Sequence, residues 1–286
     1  MTRRQRRQGS VSAYLLLLVS GLFVFINTAT AATGIASCYK GVGEGQSFDV
    51  MPDHALYILV DQTTPLSTAM KSRLTQIVSG WGNAGDHVKI VGFSANFRDQ
   101  YPRLYFDGRV ERQPTQEFLF NLHYKEKTTL ANCLQEQQKA FNSGFNNQFA
   151  QALSDISVEI PKTDLLYSLK QISDQLVKPQ DGMKRTVLLV SDGLENSSVT
   201  SFYQKGKIKI LNDKKVISHV RRKGLVANWK NANVYLYGIG LWPKPSEYAN
   251  VKAVSSVGRF WERYFVEGNA IIKAIGTPEL LITSIR

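Results

Sequence analysis

Two strongly apolar runs each end in an aspartate: Ala55 to Asp61 (ALYILVD) and Thr186 to Asp192 (TVLLVSD), the second continuing into Gly193, Leu194, Glu195, Asn196 and Ser197. An unbroken apolar run flanked by helical pattern predicts a strand buried on both faces, the condition of a central strand in a parallel sheet. A carboxylate at the carboxyl end of such a strand falls on the rim where open α/β sheets bind ligands. Two such rims predict one shared site.

The rest of the chain supplies the alternation that such a sheet needs. After a first strand over His54 to Asp61, the residues Met70, Leu74, Ile77, Val78 and Trp81 fall on one face at helical spacing. Asp86 to Phe93 predicts a second strand. Pro102 to Arg112, centred on Asp107-Gly108, predicts a hairpin at the sheet edge, because Asp-Gly suits a tight turn. Leu130 to Leu153 predicts a long helix striped with Phe141, Phe145 and Phe149, a pattern that most often means core packing. A helix marked by Leu165, Leu169, Ile172 and Leu176 leads to the strand before Asp192. Asn233 to Gly240 predicts another strand, followed by a helix carrying Val251, Val254, Phe260, Trp261 and Phe265, and by an edge strand at Ala270 to Ile275. Strands alternating with helices imply an α/β fold: a doubly wound, mostly parallel sheet with helices on both faces. At 286 residues and 43% apolar composition the chain has enough apolar side chains for a sizeable core.

The chain opens with MTRRQRRQGS, the apolar stretch Ala13 to Ile26, and Ala29-Thr30-Ala31, the three-part layout of a secretory signal peptide. At 14 residues the stretch is short of the roughly 20 that a spanning helix needs, which favours cleavage after Ala31 over an inner-membrane anchor. The arginine pairs match a twin-arginine signal weakly, and Ile35 to Cys38 resembles a lipoprotein box set too far from the apolar core. The expected organisation is a signal peptide at 1–31, an N-terminal arm at 32–52 and one domain at 53–286, in a periplasmic or secreted protein. The glycine-rich Lys40 to Gln46 lacks the strand and helix that a phosphate loop requires and reads as a flexible lead. In an oxidising compartment the two cysteines, Cys38 and Cys133, make either a disulfide stapling the arm or two buried thiols.

Without the four arginines of the leader, 31 basic residues face 23 acidic ones, a net charge of +8. Nine bases (Lys205, Lys207, Lys209, Lys214, Lys215, Arg221, Arg222, Lys223 and Lys230) lie in a segment at about 203–230 with Asp213 as its single acid. That segment reads as a basic insertion, either a solvated helix face or a patch for an acidic partner. Too few aromatics are interleaved for single-strand nucleic-acid stacking, and an exported protein does not ordinarily meet nucleic acid, so none is expected as a partner.

In three separate segments the chain resembles the von Willebrand factor type A (VWA) family, whose doubly wound fold carries a metal-ion-dependent adhesion site on its upper rim. The family's Asp-x-Ser-x-Ser motif corresponds to Asp61, Gln62, Thr63, Thr64 and Pro65, its loop threonine to Thr163 in Pro161-Lys162-Thr163-Asp164-Leu165, and its strand-terminal aspartate to Asp192 in Val-Ser-Asp-Gly. The resemblance implies a metal site of Asp61, Thr63, Thr163 and Asp192 holding Mg2+, or Ca2+ or Mn2+, since hard cations take oxygen ligands. Pro65 departs from the motif by lacking the last hydroxyl. Thr163 is also an ordinary helix N-cap and strand-end aspartates occur without metal, so each residue has a second explanation.

The resemblance implies a non-catalytic binding module engaging a protein partner, expected to be acidic, with a possible envelope-surface contact. A structural envelope component with a vestigial rim is the alternative. A metal-assisted hydrolase ranks third: Asp61-Gln62-Thr63 lacks the second aspartate of a phosphoaspartate hydrolase, no Gly-x-Ser-x-Gly elbow occurs, and His54, His87, His123 and His219 form no zinc motif.

Overall fold

A computed structural model describes residues 36–43, 51–94, 102–156, 164–177, 182–242 and 250–286. The strands are β1 (His54–Asp61), β2 (Asp86–Phe93), β3 (Arg103–Arg109), β4 (Lys184–Val190), β5 (Tyr203–Gln204), β6 (Lys207–Ile208), β7 (Ala232–Tyr237) and β8 (Ala270–Ile275). The helices are α1 (Thr68–Val78), α2 (Gln116–Phe120), α3 (Tyr124–Ser154), α4 (Leu165–Leu176), α5 (Asp213–Arg222) and α6 (Val251–Glu267). Among these, no helix is long and apolar enough to cross a membrane. The signal-peptide reading of 1–31 lies outside the described residues.

Six strands form one sheet in the order β3-β2-β1-β4-β7-β8. Every neighbouring pair runs parallel except β2 with β3. The chain starts at the centre with β1, proceeds outward to β3, and returns to build the other half from β4, so the order reverses between β1 and β4. An open sheet gains a crevice at that point, because the connections leave the two strands in opposite directions. The α/β, doubly wound, mostly parallel fold is therefore as the pattern of apolar runs implies.

Both faces are covered. Alternate residues of the central strands point to opposite sides. Leu56, Ile58 and Val60 pack with α1, the three phenylalanines of α3, and Leu280 and Ile285 of the C-terminal tail. Ala55, Tyr57 and Leu59 pack with α4, α5 and the aromatic face of α6 (Phe260, Trp261, Tyr264, Phe265). The phenylalanine stripe of α3 is core: Phe141 and Phe145 meet Phe106 edge-on at 5.3 and 6.0 Å.

Two expectations are corrected. Asp107-Gly108 is not a hairpin turn but lies inside the single edge strand β3. Asp107 is held there by Lys89 at 2.7 Å and by His87, and a Cβ on Gly108 would stand 2.3 Å from the Phe106 ring, so glycine makes room for an aromatic rather than for a bend. The basic segment at 203–230 is likewise no insertion. It contains α5, the crossover helix that parallel neighbours β4 and β7 require. Ile217 and Val220 face the core while the basic residues line the solvent side. Arg221 bonds Glu267, and Arg263 of α6 bonds Asp213.

The arm is stapled. Cys38 and Cys133 form a disulfide with Cα atoms 5.7 Å apart. The Cys38 N–H donates to the buried Glu111 carboxylate at 2.7 Å, and the Tyr39 hydroxyl donates to the Arg112 carbonyl.

Candidate functional site

Asp61 is the last residue of β1, and Asp192 lies two residues beyond β4, so both sit at the carboxyl ends of the strands flanking the reversal point. Asp61 is fully buried and Asp192 is 8% exposed. The first loop folds over Asp61. Its Oδ1 accepts from the Thr63 N–H at 2.9 Å and the Thr63 hydroxyl at 2.7 Å, and its Oδ2 accepts from the Ser191 hydroxyl at 2.8 Å. Thr64 Oγ1 accepts from the Asp192 N–H at 3.0 Å. Thus Thr64 and Ser191 tie the two strand ends together through hydroxyl groups, while Thr63 closes the first loop onto Asp61.

The second loop is shaped by glycine. Gly193 has φ +70°, and a Cβ there would stand 2.7 Å from Trp261 Nε1 and 2.8 Å from Ile239. Trp261 Nε1 donates to the Gly193 carbonyl at 2.8 Å. Left-handed backbone and close approach both demand glycine, which accounts for Asp-Gly in this loop. The turn aims the Leu194 N–H at Asp192 Oδ1, 2.8 Å away, and the Asp192 carbonyl accepts from the Gly240 N–H beyond β7.

Electrostatically the rim is an acid pair in a dry place. Burial raises the pKa of Asp61, against the hydrogen bonds from Thr63, Ser191 and Thr64 that favour its charged form. Burial and then the Asp61 charge push Asp192 up to about 8. No cation contributes to either shift. Tyr203 of β5 is raised first by burial and then by the charges of Asp192 and Asp61. Glu195, also buried, is pushed up to about 8 mainly by burial; it accepts the Leu166 N–H at 3.1 Å and so serves the start of α4.

Three residues of the anticipated set are brought to one rim: Asp61, Thr63 and Asp192. Thr163 lies outside the described residues. Pro65 stands in the β1–α1 loop, and Ser67 caps α1 by accepting the Met70 N–H at 3.2 Å, which commits its hydroxyl to the helix. Sequence reasoning passed over Thr64 and Ser191. The signal for Ser191 was present in Val-Ser-Asp-Gly, a hydroxyl at the very end of a buried strand. Among the described residues no group of three or more His, Cys, Asp or Glu side chains gathers at a point. The rim offers a cation two carboxylates and neutral hydroxyl oxygens, an all-oxygen set that suits a hard divalent ion.

No protein-family model matches the chain, and no curated protein does. Solved structures similar to it include VWA domains. An aerotolerance-related membrane protein from Bacteroides fragilis is 12% identical, with 78% of this chain and 92% of that one covered at a TM-score of 0.35. The SpRpn10 VWA domain is 11% identical, with 80% and 90% covered at 0.35. The conserved hypothetical protein BatB from Bacteroides thetaiotaomicron is 11% identical, with 79% and 91% covered at 0.33. Likenesses this distant assign neither partner nor metal.

Proposed function

We propose that this chain is an exported, non-catalytic binding module of the VWA type, whose rim holds a divalent cation and through it captures an acidic protein partner. The cation would be held by Asp61, Thr63 and Asp192, with Thr163 as the further oxygen that the family resemblance implies. Mg2+ is the first choice because it retains waters and needs few carboxylates, and Ca2+ and Mn2+ are the alternatives. When bound, the ion supplies an open coordination position for a partner carboxylate. The protein orients the set: Thr63 and Ser191 fix the Asp61 carboxylate, and Leu194 fixes that of Asp192.

The observation that carries this reading is the unneutralised acid pair at the sheet's reversal point. Two buried carboxylates, both raised by burial and Asp192 also by the Asp61 charge, are costly in a fold, and a bound cation removes that cost. The exposed lysines of the β5–β6 hairpin, Lys205 and Lys207, beside the rim residue Tyr203, support an acidic rather than basic partner.

Calorimetric titration of Mg2+, Mn2+ and Ca2+ into the chelator-treated protein and into Asp192→Ala tests the reading. Saturable binding lost in the variant is the expected result. Binding unaffected by Asp192→Ala would place the ion elsewhere and defeat the proposal.

A further inference from the structure

Beyond Asp192 the chain folds back and returns an aromatic side chain to the rim. The Phe202 N–H donates to the Glu195 carbonyl at 2.8 Å, and Asn196 pairs with Ser201, so the segment from Gly193 to Tyr203 closes as a tight loop. Phe202 anchors its end in the core, 5.0 Å from Phe260 and 6.5 Å from Trp261, the residue whose indole N–H holds the Gly193 carbonyl. A second loop arrives from β7. The Gly240 N–H donates to the Asp192 carbonyl at 2.8 Å, and Trp242 follows two residues later. Tyr203 and Trp242 meet with ring centroids 6.0 Å apart, each half-buried against the core.

The pair carries two hydrogen-bond donors that the protein does not use. Among the described residues none accepts from the Tyr203 hydroxyl or the Trp242 indole N–H, and neither group is sealed from solvent. Other aromatics of the fold differ. Tyr237, Tyr264 and Trp261 give their protons to backbone carbonyls, and the unpaired indoles of Trp81 and Trp229 are shut inside the fold, where no ligand reaches them. Burial and the charges of Asp192 and Asp61 raise the Tyr203 phenol well above its ordinary value, so it keeps its proton and stays a donor. Directly after Tyr203, Lys205 and Lys207 are exposed and, among the described residues, have no acidic partner.

From two free donors on an aromatic surface, tethered to the Asp192 turn and followed by unpaired lysines, we infer that Tyr203 and Trp242 form the specificity wall of the rim and select a protein segment in which an acidic residue adjoins an aromatic one. It rests on the rim cation proposed above: the partner carboxylate meets the cation and accepts from the Tyr203 hydroxyl, while the partner ring packs on Tyr203 and Trp242. A carboxylate is the acceptor that this place favours, because a hydrogen bond to a charged group is about twice as strong as a neutral one. Tyrosine and tryptophan suit such a wall, each offering an apolar ring to pack and a polar tip to bond. Lys205 and Lys207 oppose a basic segment and draw in an acidic one.

The test titrates four capped peptides, Gly-Phe-Asp-Phe-Gly, Gly-Ala-Asp-Ala-Gly, Gly-Phe-Asn-Phe-Gly and Gly-Phe-Lys-Phe-Gly, into the full chain, Tyr203→Phe and Trp242→Ala by calorimetry. Each protein is first titrated with Mn2+ and then held at a Mn2+ concentration that saturates it. Wild type should bind the Phe-Asp-Phe peptide about fivefold more tightly than the Ala-Asp-Ala peptide, the scale of an aromatic pair. Tyr203→Phe keeps the ring and should weaken both Asp peptides about tenfold, the loss of one hydrogen bond to a charged acceptor. Trp242→Ala should erase the preference for phenylalanine. Mn2+ binding with no peptide bound, with equal affinity for the two Asp peptides, or with unchanged affinities in Tyr203→Phe would overturn the wall alone. So would the Asn peptide binding as tightly as its Asp counterpart. Tight binding of the Lys peptide in chelator would overturn it too, making the acid pair and the two rings a cage for an organic cation. No Mn2+ binding by wild type would defeat the cation reading itself and the wall with it.

Discussion

Asp192→Asn should make the metal-free protein more stable while removing one of the proposed cation ligands. Burial and the neighbouring Asp61 charge hold the Asp192 carboxyl up at about 8, against 3.8 in the unfolded chain. Between those values the folded state binds more protons than the unfolded state, so stability is fully present below pH 3.8 and falls as pH rises toward 8. Each unit is worth about 1.4 kcal/mol for one group, so the metal-free chain loses about 3 kcal/mol between pH 5 and 7. Asp61, raised in the same direction, adds to the slope. Asparagine keeps an oxygen for the Leu194 N–H and does not titrate. The assay is urea unfolding in chelator at pH 5, 6 and 7 for wild type and Asp192→Asn. Wild-type stability should fall across the series and the variant's should fall less, with the variant the more stable at pH 7 by about 2 to 4 kcal/mol, allowing for coupling within the pair. A wild-type curve flat in pH, or a variant less stable at every pH, would refute the acid-pair account.

Gly193→Ala should cost about 3 kcal/mol in chemical denaturation, because it combines a left-handed φ with a Cβ 2.7 Å from Trp261 Nε1. Replacing both cysteines by serine opens a cross-link between positions 95 residues apart and should lower stability by about 2 to 5 kcal/mol, matched by reductant on the wild type. Pro65→Ser restores a hydroxyl in the β1–α1 loop and should tighten Mg2+ binding in calorimetry severalfold, whereas Pro65→Ala should not.

The central strands were legible because burial on both faces leaves an unmistakable apolar run, and the helices of the second half because their apolar residues recur at helical spacing. The start of α3 was not. Tyr124 to Thr129 carries no apolar period, and the helix begins with the His123 N–H donating to Glu126 Oε2 at 2.9 Å, a local signal unlike the usual Ser, Thr or Asp cap. Asp107-Gly108 misled because the same dipeptide serves a turn or, as here, an ion pair beside a glycine under an aromatic ring. The basic run of α5 looked like an addition because its charges outnumber Ile217 and Val220, the two buried side chains that dock the helix. At the rim, the two aspartates were readable from their place at strand ends. Thr64 and Ser191 were not, because their part is to hold Asp61 and Asp192 in register across two strands far apart in sequence.

The most direct measurement is anomalous diffraction from crystals grown with Mn2+ at pH 8, where Asp192 ionises most readily. The account expects a single strong anomalous peak at the rim, within direct or water-bridged reach of Asp61, Thr63 and Asp192, and its absence from Asp192→Ala crystals. No peak at the rim in well-ordered wild-type crystals, or one bound only elsewhere on the chain, would contradict it.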